Sequence, residues 1–297
     1  MLKAGTWILP DRYYAKLAFH VDHGRFPRTP PVTFNERVSD LIGSGSLGRY
    51  APYCDKLAVR DFVAEKIGPN YLVPLHATAD VLTAELWERL PDAFMVKATH
   101  GSGWTRLVRN KSAENFDEVA ALTQSWRRIN YAYVFRERQY QTITPTLLFE
   151  HVLDAEGPEG LMDYKFFCFH GKAQLVHVVA WRPKKRRLLY DLDWNKLDVR
   201  YNVSNAGHIP RPPALDEMRA VAEKLAEGFP FVRVDLFNVR ERVYFGELTF
   251  TPLAASEGFD PPAFDEYLGR LWADAGFNHA NDMARWRQQR ERTPGQA

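Results

Sequence analysis

The stretch VRVDLFNVRERVYFGELTFTP, residues 232–252, decides the fold. Two strand-like runs flank a polar segment from Asn238 to Arg242, the signature of a hairpin. Residues two apart on a strand share a face, so Arg233 and Asp235 point together, as do Glu247 and Thr249. An odd-numbered loop or a bulge around Asn238 to Arg242 would put all four on one side, and that register is the one expected. Two carboxylates close together in a half-buried sheet repel and raise one pKa unless a divalent cation lies between them. Asp235 and Glu247, with Thr249 as a third oxygen, are therefore candidate Mg²⁺ ligands, and Arg233 could meet an anion that the metal also touches. The competing reading is an ion pair between Arg233 and either acid on a solvated face.

Two earlier stretches share this chemistry. KATHGSGWT at 97–105 places Lys97 on a strand entering a turn where Gly101 and Gly103, around Ser102, let backbone amides approach phosphate oxygens without a Cβ in the way. His100 lies in the same turn and could reach a phosphate. In DYKFFCF, Lys165 sits among strand residues, where an unpaired ammonium is costly. Its partner is either Asp163, two residues earlier on the same face, or a bound phosphate.

A chain of 297 residues with 45% hydrophobic content can bury one large core or two modest ones. Thirty-nine cations against thirty-seven anions leave no nucleic-acid footprint. No window approaches the roughly 20 apolar residues that span a bilayer, and no secretory signal is recognisable, so a cytoplasmic location is expected. Cys54 and Cys168 lack the spacing of a disulfide framework or zinc site and read as small buried hydrophobes. The runs RPKKRR (182–187) and RWRQQRERT (285–293) read as solvated surface, though the first could attract an acidic substrate.

The order of elements is α+β. Residues 1–52 read as an N-terminal extension of short helices and loops. CDKLAVRDFVAEKIG (54–68) has helical spacing, with Asp55 as N-cap and Gly68 as stop. YLVPL reads as a short strand, FMVKAT and WTRLVRN as a hairpin, 114–129 as a helix, and TPTLLFEHVL (144–153) as a strand. Residues 163–181 form a second hairpin turning at HGK; 214–228 is an amphipathic helix, and AFDEYLGRLWADAG closes the chain.

Taken together, FMVKATHGSG, LLFEHVLD, DYKFFCFHGK and VRVDLFNVRERVYFGELTFTP, in this order and spacing, resemble the ATP-grasp superfamily, in particular its TupA-like branch, named for teichuronopeptide biosynthesis. PVTFNERV and DKLAVRDFVAEKIG are similar to that branch too, and the resemblance covers roughly residues 30–275. It implies an ATP-grasp fold of two α+β subdomains holding a nucleotide, with the glycine hairpin as lid: a small subdomain over 53–153, a C-terminal subdomain over 154–275, and a basic helix or tail over 276–297. Carried over by position, Lys97 would contact phosphates, with Gly101, Ser102 and Gly103 covering them. Glu150, His151, Val152 and Leu153 would form the adenine-pairing hinge, Asp163 would meet the ribose, and Lys165 a phosphate. Asp235 and Glu247 would bind one or two Mg²⁺, with Arg233 over the transferred phosphoryl group. The family's Glu-x-Asn metal pair is Glu247-Leu248-Thr249 here, which leaves the second metal open, and the region before Asp55 is short for the family's N-terminal domain. The implied activity is ATP-dependent ligation of a carboxylate to an amine through an acyl phosphate; the branch name points to a uronic acid of a surface polysaccharide as acceptor. The oligomeric state is not specified by the sequence.

Two rivals come from other classes. YDLDWN holds Asp191-x-Asp193, the spacing with which many glycosyltransferases bind a metal and a nucleotide sugar, although a solvated acidic turn has the same pattern. Eight tryptophans, among them Trp181, Trp194 and Trp272, would suit a non-catalytic carbohydrate-binding protein or simple packing. His151, His170, His177 and His208 show no metal spacing and read as hydrogen-bonded structural residues.

Overall fold

A computed structural model describes residues 8–154, 160–201, 205–277 and 280–287. The tail read as basic, beyond Arg287, lies outside the described residues. The chain divides into two compact units: residues 1–26, 38–154 and 247–254, and residues 27–37, 155–246 and 255–297.

In the first unit, α1 (Asp11–His23) ends where Gly24 takes a left-handed φ of 69° and returns its N–H to His20 O. The helix α2 (Phe34–Gly43) runs from the second unit into the first. The single helix expected over 54–68 is two, α3 (Ala51–Cys54) and α4 (Val59–Ile67), and Asp55 is not the N-cap of α4. Its carboxylate instead accepts from Leu57 N at 2.8 Å and Ala58 N at 3.3 Å, an Asx-type turn that breaks the helix. β1 (Leu75–Ala79) begins where the expected YLVPL strand ends, because Pro69–Tyr71 already form a 3₁₀ turn. After α5 (Ala84–Arg89) come β2 (Phe94–Ala98) and β3 (Thr105–Val108), the expected hairpin. α6 (Phe116–Arg127) is shorter than 114–129 because Asn115 caps it, accepting from Asp117 N and Glu118 N. α7 (Ala132–Phe135) precedes β4 (Leu147–Glu150), which keeps only the centre of the expected 144–153 strand. The sheet order is β1-β4-β2-β3, all antiparallel. Phe94, Val96 and Ala98 alternate into a core with Phe149, Trp87 and Trp126, while Lys97 is left on the other face.

The second unit is built on an antiparallel sheet of order β10-β9-β5-β6-β7. Its strands are β5 (Asp163–Phe169), β6 (Lys172–Ala180), β7 (Arg186–Tyr190), β9 (Phe231–Val239) and β10 (Arg242–Thr249), the last ending in residues of the first unit. β8 (Arg200–Tyr201) pairs with β11 (Phe259–Asp260). α8 (Leu215–Ala226) places Met218, Val221, Ala222 and Leu225 inward at helical spacing, and Cys168 Sγ lies 3.9 Å from Ala222 O. That helix thus covers the sheet face bearing Phe166, Cys168, Val232 and Val234, so Lys165, Arg233 and Asp235 project from the opposite face. α9 (Ala263–Ala273) and the short α10 (Ala280–Ala284) complete it.

The segment 27–37 belongs to this unit through α9. Thr33 and Glu36 make a reciprocal capping box: Glu36 N donates to Thr33 Oγ1 at 3.1 Å, and Thr33 N to Glu36 Oε2 at 3.0 Å. Asn35 N donates to Asp265 Oδ1 at 3.0 Å, and Arg37 Nε to Gly269 O at 2.9 Å. Gly269 permits this approach, since a Cβ there would stand 2.0 Å from Val32 O.

Candidate functional site

In the hairpin of β9 and β10 the turn is a two-residue one, with Arg240 and Glu241 both left-handed at φ 49° and 66°, so the expected odd-numbered loop is absent. The slip in alternation occurs later. Val243 and Phe245 are buried, the next buried residue is Leu248, and a Cβ on Gly246 would approach Asp235 O to 2.9 Å. Glu247 and Thr249 therefore stand opposite the apolar set of their strand. Thr249 Oγ1 donates to Glu247 Oε1 at 3.0 Å, an oxygen pair of the type Mg²⁺ takes.

The first unit gathers lysines at the glycine turn. Lys97 Nζ lies 2.6 Å from Glu150 Oε2, and Arg60 Nη1 lies 3.5 Å from Glu150 Oε1, so the Glu150 side chain is held by cations. His151 N donates to Pro74 O at 2.9 Å, whereas the backbone of Val152 and Leu153 makes no hydrogen bond among the described residues. Lys56, which sequence reasoning left without a role, donates to Gly101 O. Its pKa is lowered, first by burial and then by Lys97, against the pull of Glu247 and Glu150. Lys56 and Arg60 both lie in the DKLAVRD stretch that carried the family resemblance, the one signal that could have singled them out.

Gly101 is required for a reason other than phosphate approach, because a Cβ there would stand 2.5 Å from the Trp104 ring; Gly103 has φ 74°. Ser102 hydrogen-bonds Tyr131, whose pKa is pushed up to about 12, mainly by burial. His100 is 3% exposed, its Nε2 meets Trp126 O at 3.1 Å, and its ring packs edge-on to Trp104.

In the second unit Arg233 and Asp235 do share a face. Arg233 Nε and Nη2 each bond an Asp235 carboxylate oxygen at 2.7 Å, a buried bidentate pair. Lys165, directly across the ladder, donates to the same carboxylate and lies 4.0 Å from Asp163, so Asp235 rather than Asp163 is its main partner. Asp163 Oδ2 accepts from Trp181 Nε1 at 3.1 Å. Among the described residues no group of three His, Cys, Asp or Glu side chains could hold a metal ion.

The Asp191-x-Asp193 motif is not a metal site. Asp191 is 3% exposed and spends its oxygens on Asp193 N, Asn195 N and Nδ2, and Arg287 Nε at 2.7 Å, while Asp193 pairs with Arg287 at 3.3 Å. A turn cap plus a guanidinium consumes the oxygens of Asp191, while the Asp193 side chain is exposed. Trp194 is buried, stacked on Tyr190 at 4.3 Å, and Trp272 packs on Phe231, which makes both packing residues; Trp181 is exposed. Both cysteines are free and buried.

The run RPKKRR is solvated only in part, since residues 181–185 are exposed but Arg187 is 9% exposed. Nor is every histidine hydrogen-bonded: His170 Nε2 meets Trp272 O at 3.0 Å, yet both ring nitrogens of buried His177 lack a partner.

A family model described as TupA-like ATPgrasp matches residues 38–273. No curated protein matches the chain. Among solved structures, a D-alanine–D-alanine ligase from Bacillus anthracis complexed with ATP is 11% identical at a TM-score of 0.38, covering 67% of this chain and 54% of that one. The macrocyclase MdnC from Microcystis aeruginosa MRC, bound with precursor peptide MdnA, is 9% identical at 0.38, covering 70% and 55%. The ATP-grasp ligase PsnB, complexed with minimal precursor, Mg and ADP, is 11% identical at 0.36, covering 68% and 52%. The chain spans about half the length of these proteins, and likenesses this distant carry no argument about chemistry. No described helix is long and apolar enough to cross a membrane.

Proposed function

The chain belongs to the TupA-like ATP-grasp family, and from that premise we propose that it is an ATP-dependent ligase joining a carboxylate to an amine. The observation that carries this reading is the family match over residues 38–273, which takes in every proposed ligand from Lys97 to Thr249. In the proposed reaction a carboxylate oxygen attacks the γ-phosphorus and ADP leaves. The amine then attacks the acyl phosphate, releasing phosphate and a proton. Such chemistry asks for charge and alignment rather than a covalent nucleophile.

The residues suit those demands. Lys97 and Lys56 are two lysines of the glycine-turn region, and phosphate oxygens there would favour the charged form of Lys56, whose pKa is lowered first by burial and then by Lys97. Val152 and Leu153 offer unpaired backbone groups to an adenine edge, beside Glu150 and His151, whose side chain and N–H respectively are already engaged. Glu247 and Thr249 supply adjacent oxygens for Mg²⁺, and Asp235 is the second proposed carboxylate ligand. One bound metal would neutralise phosphate charge as a Lewis acid. Arg233 and Lys165, oriented by Asp235, are the proposed catalytic cations, with Asp163 at the ribose. The assignment of 53–153 as the lid-bearing subdomain and 154–275 as the metal-bearing one is part of this proposal, as are a cytoplasmic location and a uronic acid or other saccharide carboxylate as acceptor, the latter supported by the branch name alone.

A thermal-shift comparison of MgATP, Mg²⁺ alone and UDP- or GDP-sugar with Mn²⁺ tests the reading; the expected stabilisation is specific to MgATP. Glu247→Gln should abolish both that shift and ATP turnover while keeping the fold. An active variant would remove Glu247 from the metal assignment.

A further inference from the structure

Arg187 ends the basic run and opens into β7, opposite Val179. In the ladder, Lys165 pairs with His177 on one side and with Asp235 on the other, and Val179 is two residues from His177, so Arg187 projects from the same sheet face as all three. It is 9% exposed, and its Nε and Nη1 are sealed from water without a hydrogen-bond partner. Around it the same condition recurs. The Tyr201 hydroxyl is buried and unbonded, as are both nitrogens of His177. The Arg187 guanidinium lies 5.9 Å over the Tyr201 ring, and His177 packs edge-on to that ring at 5.4 Å.

An arginine cannot shed its proton, so a buried guanidinium needs an anion. The neighbouring acids are committed elsewhere: Asp235 to Arg233 and Lys165, Asp163 to Trp181. Glu257 lies near Tyr201 and Lys185, yet no ion pair joins it to Arg187. Cations prevail locally, since Lys165, Arg233, Arg187 and Lys185 all push the imidazole of His177 in the direction that burial already drives it, towards the neutral form. A guanidinium edge with two unspent donors, flanked by a phenol and an imidazole, matches an oxyanion in shape and charge.

We propose that Arg187, with Tyr201 and His177, is a subsite for an oxyanion, the carboxylate or a phosphoryl group of the acceptor. Naming the acceptor as its source rests on the ligase reading; the anion site itself does not.

The test is isothermal titration of the full chain with inorganic phosphate and, separately, with glucuronate, beside a parallel titration with MgADP. Arg187→Gln should weaken one of the two anions by about tenfold or more, the loss of a charge-assisted pair, and leave MgADP affinity within about twofold. Weakening confined to glucuronate identifies an acceptor carboxylate, and weakening confined to phosphate a phosphoryl group. No saturable binding of either anion to the wild-type chain, or unchanged binding to Arg187→Gln, overturns the proposal. If MgADP fails to bind while the anion effect stands, the ligase reading falls and the site remains. Arg187→Met should be at least as thermally stable as wild type without added anion, because it removes a buried charge that has no ion-pair partner among the described residues. A lowered melting temperature would reveal such a partner and refute the subsite.

Discussion

Replacing Asp235 by asparagine should be among the most damaging single changes in the second unit. The side chain is 2% exposed and holds two cations, Arg233 through bonds of 2.7 Å and 2.7 Å and Lys165 across the ladder. An ion pair at such range is worth about 4 kcal/mol at an effective dielectric of about 20, and two are lost together. Relaxation and water entry return part of this, so the net cost is about 3–5 kcal/mol, as for other buried pairs stripped of one partner. At about 2–4 °C per kcal/mol for a unit of this size, the melting temperature should fall by about 6–20 °C. Differential scanning calorimetry at neutral pH reads this directly. The control is Asp163→Asn, which removes a charge 4.0 Å from Lys165 and should cost about 1 kcal/mol or less. Equal small effects from the two substitutions would refute the reasoning, because they would mean that Asp235 does not anchor the cations.

Other expectations follow from the backbone and from burial. Leu253, Ala254 and Ala255 hold consecutive left-handed φ values of 51°, 50° and 61°, so Ala254→Gly should stabilise by about 0.5–1 kcal/mol in urea unfolding, after the entropy glycine costs. Gly269→Ala, whose new Cβ would meet Val32 O at 2.0 Å, should destabilise by about 3 kcal/mol in the same assay. His177 is held well below its ordinary value of 6.5, by burial first and then by Lys165 and Arg233. Between the depressed folded value and 6.5 the unfolded chain carries a proton that the folded chain lacks, so stability rises with pH through that window. It falls on acidification by about 1.4 kcal/mol per pH unit, and His177→Leu should remove one proton's worth of that slope.

Much of this architecture is legible in residue order. Alternation in β2 and in the first residues of β5 sets Lys97, Asp163 and Lys165 on the face away from the apolar set, and the glycines at Gly171 and Gly103 mark turns that the structure closes with left-handed φ values. Arg233 beside Asp235 follows from period two alone. What alternation could not reveal was tertiary competition for each charge. Lys165 turned to Asp235 across the ladder because a cross-strand neighbour lies closer than one two residues along. The Asp191-x-Asp193 pair was absorbed by Arg287, distant in sequence by 96 positions from Asp191. Gly246 displaced the slip from the turn into the strand, and burial separated Arg187 from a run that composition presents as uniformly solvated.

The capping-box segment that carries Asn35 and Arg37 has a bearing on how the polypeptide is made. Its partners are Glu257 O, Asp265 Oδ1 and Gly269 O, at separations of 222, 230 and 232 residues. During vectorial synthesis this strap leaves the ribosome 222 to 232 residues ahead of those partners and must wait, unsatisfied, until they emerge. At roughly 5–20 residues per second that delay is on the order of ten seconds or more, so closure of the second unit waits on the emergence of residues 257–269, and nascent chains stalled before Glu257 should leave residues 27–37 open to protease.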